Sequence, residues 1–239
     1  MPPPPGLSLA EILAIAKSYP YENPQASYLY RDGVGHDLEP DAVDLRLWRR
    51  QGRVPVVAYG ANRAVSALAR KFAGWPEGTE IPVAVAWAED LDVTFSAHIT
   101  SYGSLPARIE RTPGTRVQIA VNFLTPAQLA RMHETEGPMN YRFRPMETPV
   151  RLPDGSTITG AYAYHGVRPS VREGGKAVAI ATLPAEGRAT PAWRQLEAIT
   201  HARDVLARDL AVDTFIAQNI TCRITRLHRL ERLSRHHRV

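Results

Sequence analysis

A four-residue loop in the sequence has residue types that bind small anions. The apolar run Val54–Ala58 has the length of a strand and leads directly into Tyr59, Gly60, Ala61 and Asn62. Glycine permits a tight turn with backbone angles that are closed to other residues, and asparagine is a good N-cap for the helical pattern that follows. Because the N–H groups of a helix start attract a carboxylate, we predict an anion-binding loop, with an ordinary strand-to-helix turn as the alternative.

A second candidate lies at the end of a predicted helix with clear start and stop signals. Thr125 and Gln128 have the pattern of a capping box, with Pro126 at the first helical position. Gly137 is typical of the C-terminal stop. The last turn of this helix therefore contains Glu136.

Glu136 is a carboxylate in line with the apolar face of that helix. Leu129, Met132, His133 and Glu136 stand at helical spacing on one face. Burial and the helix dipole both raise the pKa of a carboxyl group in this position, which suits general acid–base catalysis near neutral pH. The alternative is a surface glutamate at a frayed helix end, which is the role that we predict for Glu134.

The elements around these candidates are mostly short strands. We predict helices over residues 7–19 and 191–210, the second capped by Thr190, and an irregular segment over 19–52 with a short helix near 41–50. The predicted strands cover residues 81–87, 93–99, 108–110, 116–123, 149–152, 157–165 and 177–182, with turns at 89–90, 112–114 and 153–155. This order indicates an α+β fold with a mixed sheet or barrel and flanking helices.

Three segments follow from this pattern: an N-terminal extension over 1–52, a catalytic domain over 53–185, and a C-terminal helical extension over 186–239. The last helix has an apolar stripe that we expect to pack on the domain, with the arginines off the stripe. The stripe consists of Ile220, Ile224, Leu227, Leu230 and Leu233.

The loop and the glutamate together resemble the gamma-glutamylcyclotransferase family. Members of that family have a Tyr-Gly-Ser-Asn loop after the first strand and a glutamate just before glycine at the end of a short helix. The corresponding residues here are 59–62 and 132–137, followed by Tyr141, and the similarity covers roughly residues 54–182. Ala61 stands where the family has serine, which removes one hydroxyl and leaves the backbone donors in place.

The resemblance implies a fold and a chemistry. In the family, the amine of a gamma-glutamyl group attacks its own side-chain carbonyl, 5-oxoproline forms and an amine leaves. Glu136 would then be the general acid and base, and the loop would hold the glutamyl group and donate N–H groups to the oxyanion, with no metal or cofactor. Tyr141, Tyr162 and Tyr164 would line the pocket, for which aromatic core packing is the alternative.

Composition limits the other classes of protein. The single cysteine, Cys222, excludes an intramolecular disulfide and a zinc site built on several thiolates. The first residues lack the charged start of a signal peptide, and no run reaches the ~18 apolar residues of a membrane span. We therefore predict a cytoplasmic protein that binds a small gamma-glutamyl compound and no membrane.

The net charge of +5 is concentrated near the end of the chain, where arginines recur every third residue from Arg223 to Arg238. This spacing, without interleaved aromatics, favours a solvated helix face over a nucleic-acid contact. The alternative function is a non-catalytic binding module of the same fold, whose basic C-terminal helix contacts nucleic acid or an acidic partner.

Overall fold

An open, mixed β-sheet forms the centre of the fold in a computed structural model that describes residues 6–76, 79–136 and 139–238. The helices are α1 (Leu9–Ser18), α2 (Leu45–Arg50), α3 (Val65–Lys71), α4 (Pro126–Glu136), α5 (Gln195–Ala207), α6 (Val212–Thr221) and α7 (Arg223–His236). The strands are β1 (Tyr28–Arg31), β2 (Val34–Asp37), β3 (Val54–Ala58), β4 (Glu80–Phe95), β5 (Ala107–Leu124), β6 (Tyr141–Pro145), β7 (Val150–Arg151), β8 (Thr157–Ile158), β9 (Tyr162–Gly166), β10 (Arg172–Glu173), β11 (Lys176–Ala177), β12 (Ala179–Ile180), β13 (Ala185–Glu186) and β14 (Ala192–Trp193).

The main sheet has the strand order β14-β12-β4-β5-β3-β9-β6. Strand β3 runs parallel to β9 and β12 runs parallel to β14, whereas the other pairs along this path are antiparallel. Among the described residues the path does not close on itself. The predicted α+β class with a mixed sheet is confirmed, and no closed barrel is found in the part of the chain that the structure describes.

Strands β4 and β5 are long and continuous, so the two short hairpins predicted in this region are wrong. Asp90 and Gly114 both have positive φ, at 51° and 80°. The backbone N–H of Gly114 donates to Oδ1 of Asp90 at 2.9 Å, and the ladder shifts register beside Asp90. The turn signals therefore produce an irregularity within one strand pair, whose pairing continues on both sides.

The segment predicted to be irregular contains a hairpin, β1 and β2, and β1 adds to the edge of β4. Tyr28 and Tyr30 alternate with more exposed neighbours and are buried. The hydroxyl of Tyr28 donates to the carbonyl of Arg63 at 2.8 Å. Hence the N-terminal segment is attached to the chain just beyond the predicted anion loop. The short helix expected near 41–50 is α2.

The predicted helix over 191–210 begins later than expected. Ala179 donates to the carbonyl of Pro191, which places the following residues in β14 instead of a first helical turn. Thr190 does not cap the helix; its hydroxyl contacts Asp92 at 3.4 Å. At the actual start of α5, the carboxylate of Glu197 accepts the backbone N–H of Arg194 at 2.7 Å.

Helix α7 packs against the rest of the chain through fewer residues than the predicted stripe. Leu230 and Leu233 are buried, whereas Ile224 is 81% exposed and Leu227 is 47% exposed. The hydroxyl of Ser234 donates to the carbonyl of Ala97 at 2.7 Å. The stripe prediction is therefore wrong for the first turn of α7, because that turn faces the opening of a cavity.

One arginine of α7 is buried, contrary to the prediction that the arginines lie off the packed face. Arg229 stacks over the ring of Phe215 at 4.7 Å and donates to the side chain of Gln218 at 2.7 Å. Cation–π contact and hydrogen bonds offset the cost of burying the guanidinium group. Among the described residues, no helix is long and apolar enough to cross a membrane.

Candidate functional site

A cavity of about 540 Å³ lies at the end of β3, where the predicted loop meets helices from distant parts of the chain. The loop 59–62 and the end of α4 form one side. Tyr19 and Tyr21, which follow α1, and the first half of α7 form others. Both terminal extensions therefore contribute to the walls, together with the two sequence motifs.

The two predicted motifs meet at Glu136. The carboxamide of Asn62 donates to Oε1 of Glu136 at 2.7 Å, although the two residues are 74 positions apart in the sequence. The ammonium group of Lys71 contacts the same oxygen at 2.5 Å. The side chains of Glu136 and Lys71 are only 15% and 11% exposed. A carboxylate in this setting is oriented and partly shielded from water.

The pKa of Glu136 is lowered from the usual value, so the predicted rise is wrong. Burial alone raises the pKa, but the charge of Lys71 and the hydrogen bonds from Asn62 and Lys71 together outweigh it. The prediction from the sequence took account of burial and the helix dipole but not of the charge of Lys71. Glu136 is therefore ionised at neutral pH, so it can act as a base, although a weaker one than the predicted raised pKa would give.

Asn62 reaches Glu136 because it does not cap a helix. Residues Ala61–Arg63 form a 3-10 turn, and the cap of α3 is Ala64, which makes no side-chain capping bond. The predicted N-cap role of Asn62 is wrong for this reason. Asn122 on β5 donates to the Asn62 carbonyl at 3.0 Å, which fixes the loop while the Asn62 side chain points to Glu136.

Gly60 is required by close packing and not by a positive φ. Its φ is −115°, which other residues can also adopt. A Cβ at this position would overlap the hydroxyl oxygen of Tyr19 and lie 3.2 Å from Cβ of Ala107. The expectation of backbone angles closed to other residues is thus replaced by a steric requirement.

Two of the predicted tyrosines keep their hydroxyls bonded to the backbone around the cavity. Tyr59 donates to the carbonyl of Tyr164, and Tyr141 donates to the carbonyl of Ala107 at 3.0 Å. Burial raises the pKa of both Tyr59 and Tyr141 well above the ordinary value. The two phenols therefore keep their protons at neutral pH and maintain these bonds.

The predicted pair Tyr162 and Tyr164 divides between two environments. Tyr164 lines the cavity, and its hydroxyl lies 2.7 Å from Nδ1 of His133. Tyr162 stacks on Phe143 with ring centroids 4.9 Å apart and is not among the described residues that line the cavity. Both rings contact Phe143, as expected for alternate residues on one face of a strand, but only Tyr164 reaches the cavity.

The first half of α7 adds cations to the cavity. Arg223 and Arg226 line it beside Leu227 and Leu230. Arg226 donates to the carbonyl of Asn219 at 2.6 Å, which ties α7 to the end of α6. These side chains can attract a negatively charged part of a ligand that extends away from Glu136.

Two solved structures are similar to this chain. One is described as a gamma-glutamyl cyclotransferase, with 23% sequence identity and a TM-score of 0.37. The other is the crystal structure of an uncharacterized protein from Homo sapiens, with 22% identity and a TM-score of 0.38. Each match covers 49% of this chain and 72% of the other. No family model matches the sequence, and no curated protein matches it. The first of these structures has the same name as the family that the two sequence motifs resemble.

Sequence reasoning missed Lys71 and Tyr19. Lys71 stands three residues after Leu68 on the buried face of α3. A charged residue in line with the apolar face of a helix drew attention to Glu136, and the sequence shows the same signal at Lys71. Tyr19 lies directly after α1, and its place at the cavity depends on packing between distant segments. No local pattern predicts that contact.

A histidine cluster lies outside the cavity. Ligand atoms of His201, His236 and His237 lie within 4.8 Å of one another, and the two Nε2 atoms of His201 and His237 are 3.3 Å apart. The backbone N–H of Arg172 donates to Nδ1 of His237 at 3.2 Å. Neutral His237 therefore carries its proton on Nε2, where it can donate to His201. Both ring nitrogens of His237 and Nε2 of His201 therefore take part in hydrogen bonds, and these are atoms with which the two histidines could coordinate a metal ion.

Proposed function

We propose that this chain is a cytoplasmic enzyme that converts a small gamma-glutamyl compound into 5-oxoproline and a free amine. The contact between Asn62 and Glu136 carries the proposal. It joins the two sequence motifs that resemble the gamma-glutamylcyclotransferase family in one cavity. The volume of about 540 Å³ is suitable for a small molecule of this kind.

Ring closure needs a base, and Glu136 supplies one. The attacking amine must lose a proton before its nitrogen can form a bond to the side-chain carbonyl carbon of the same glutamyl group. The lowered pKa of Glu136 keeps its carboxylate ionised at neutral pH. After the carbon–nitrogen bond to the leaving amine breaks, Glu136 returns the proton to that amine, so no water is consumed.

Lys71 prepares the carboxylate for this task. Its ammonium group lies where a substrate ammonium group would approach Glu136. Because Lys71 also donates to Oγ1 of Thr135 at 2.8 Å, it can remain bound to α4 when a substrate replaces its contact with Glu136. Much of the rate then comes from holding the substrate in a ring-closing geometry.

Identification of the product tests the proposal directly. The protein is incubated with gamma-glutamyl amino acids, gamma-glutamyl amines and glutathione, and the products are separated by mass spectrometry. Formation of 5-oxoproline together with the free amine supports cyclisation. Release of free glutamate would instead indicate hydrolysis, and unchanged substrates across the panel would contradict an enzyme of this class.

A further inference from the structure

The hydroxyl of Tyr19 occupies the space in front of the Gly60 turn. Its oxygen accepts the backbone N–H of Ala107 at 2.8 Å. A Cβ on Gly60 would overlap this same oxygen. Tyr19 is 5% exposed and lines the cavity, so its hydroxyl adjoins both the loop and the cavity.

The Tyr19 hydroxyl uses only part of its hydrogen-bonding capacity in this position. A phenol oxygen has two lone pairs and one proton. The backbone N–H of Ala107 uses one lone pair. Within residues 6–76, 79–136 and 139–238, the proton of this hydroxyl has no acceptor. Tyr19 can therefore still donate this proton to a ligand.

The hydroxyl lies on the side of the cavity where the proposed base acts. Burial, and to a smaller extent the charge of Glu136, raise the pKa of Tyr19, so the phenol keeps its proton at neutral pH. The Ala107 N–H that donates to its oxygen polarises the O–H bond and strengthens it as a donor. Tyr19 thus combines a retained proton, a fixed position and nearness to Glu136.

We propose that Tyr19 donates the hydrogen bond that stabilises the oxyanion formed during ring closure, an inference that rests on the proposed function. When the amine nitrogen bonds to the side-chain carbonyl carbon, the electron pair of the C=O bond moves to oxygen. The Tyr19 hydroxyl donates to that oxygen. The pair then re-forms the carbonyl as the bond to the leaving amine breaks. A donor fixed where charge develops acts mainly on kcat.

The substitution Tyr19→Phe tests this role in the intact protein. We expect kcat for 5-oxoproline release to fall about 10²-fold, with little change in KM, as when one oxyanion donor is removed. Tyr30→Phe is the matched control, because Tyr30 is also buried, at 3% exposure, and does not line the cavity. The control should keep the kcat of the unsubstituted protein.

A second variant tests the same contact from the loop. Gly60→Ala retains the Tyr19 hydroxyl but forces it away from the backbone N–H of Ala107, so kcat should also fall. The double variant Tyr19→Phe/Gly60→Ala should be no slower than Tyr19→Phe, because both changes remove one interaction. Gly60→Ala by itself keeps the proposal testable if Tyr19→Phe is poorly folded.

The outcomes separate the inference from the proposed function. If Tyr19→Phe keeps its kcat, or raises KM alone, the donor role is overturned while cyclotransferase activity stands. Fully additive effects of the two substitutions would also contradict it. If the unsubstituted protein forms no 5-oxoproline from any compound of the panel, the function and the inference fail together.

Discussion

Lys71 and Glu136 form an ion pair inside the cavity, with Nζ and Oε1 2.5 Å apart and both side chains largely shielded from solvent. A cation thus adjoins the carboxylate before any substrate binds. The pair explains how a glutamate at the C-terminal end of a helix stays ionised, although the helix dipole and burial both oppose its charge.

The first prediction concerns the pH dependence of activity in Lys71→Met. The charge of Lys71 lowers the pKa of Glu136, so its loss should raise that pKa. Because the base acts in its ionised form, the acidic limb of the kcat/KM profile should move to higher pH. Lys176→Met changes an exposed lysine outside the cavity and should leave the profile unchanged. An unshifted limb in Lys71→Met would show that another group controls it.

The second prediction is that Glu136→Gln loses activity and some stability. Glutamine accepts hydrogen bonds but cannot take up a proton near neutral pH, so the rate should fall ~10²–10⁴-fold. The ammonium group of Lys71 would lose its partner at 11% exposure, so the melting temperature should fall as well. Turnover is measured by 5-oxoproline release and stability by thermal unfolding.

The control for this change lies two residues away. Glu134 is exposed and pairs with Arg131 at 2.9 Å, so Glu134→Gln should change neither turnover nor melting temperature appreciably. Near-normal turnover in Glu136→Gln would remove the glutamate from the chemistry, and equal losses in both variants would indicate a general effect of charge.

The third prediction is that α7 is held by its second half. Leu233 is fully buried, so Leu233→Ala should lower the free energy of unfolding by about 2–5 kcal/mol. Ile224→Ala removes the same kind of side chain from a position that is 81% exposed and should have little effect. Urea denaturation measures both. A large loss in Ile224→Ala would mean that the first turn of α7 is packed after all.

The fourth prediction is a loss of stability in mild acid through the histidine cluster. Burial, and then the neighbouring His201, lower the pKa of His237 from 6.5 to about 4. Between these two values the unfolded chain binds more protons than the folded one, so stability is present above pH 6.5 and falls as the pH drops towards about 4.

The environment of the cluster sets the size of this effect. Burial and His236 lower the pKa of His201, while Asp204 and Glu173 oppose the shift. His237→Gln should therefore show a shallower fall in melting temperature over this pH window than the unsubstituted protein. His36→Gln, at an exposed position of β2, should follow the unsubstituted protein. Parallel curves for all three proteins would assign the acid sensitivity elsewhere.

The sequence predicted the residues at the centre of the site better than their roles. Thr125 and Gln128 exchange the two predicted capping bonds, at 2.9 and 3.3 Å, and α4 ends at Glu136 as expected. Gly137, the predicted stop, lies outside the described residues. Local rules were sufficient here because capping involves neighbours in the sequence.

Non-local contacts explain most of what the sequence did not predict. Asn62 was singled out for capping a helix, yet its importance lies in a partner 74 residues away. The signals near Asp90 and Gly114 are typical of turns, but the pairing of two long strands continues past them. Strand ladders and cavity walls depend on tertiary packing, which overrides local preference.

The cavity is strongly asymmetric in charge, which affects how ligands reach it. Five cations line it, and Glu136 is the one carboxylate among the described lining residues; the cations are Arg70, Lys71, Arg168, Arg223 and Arg226. Such a field accelerates the diffusional approach of anions and weakens as ionic strength rises. Association of an anionic substrate should therefore slow in high salt while the chemical step does not, and multivalent buffer anions should compete for the entrance.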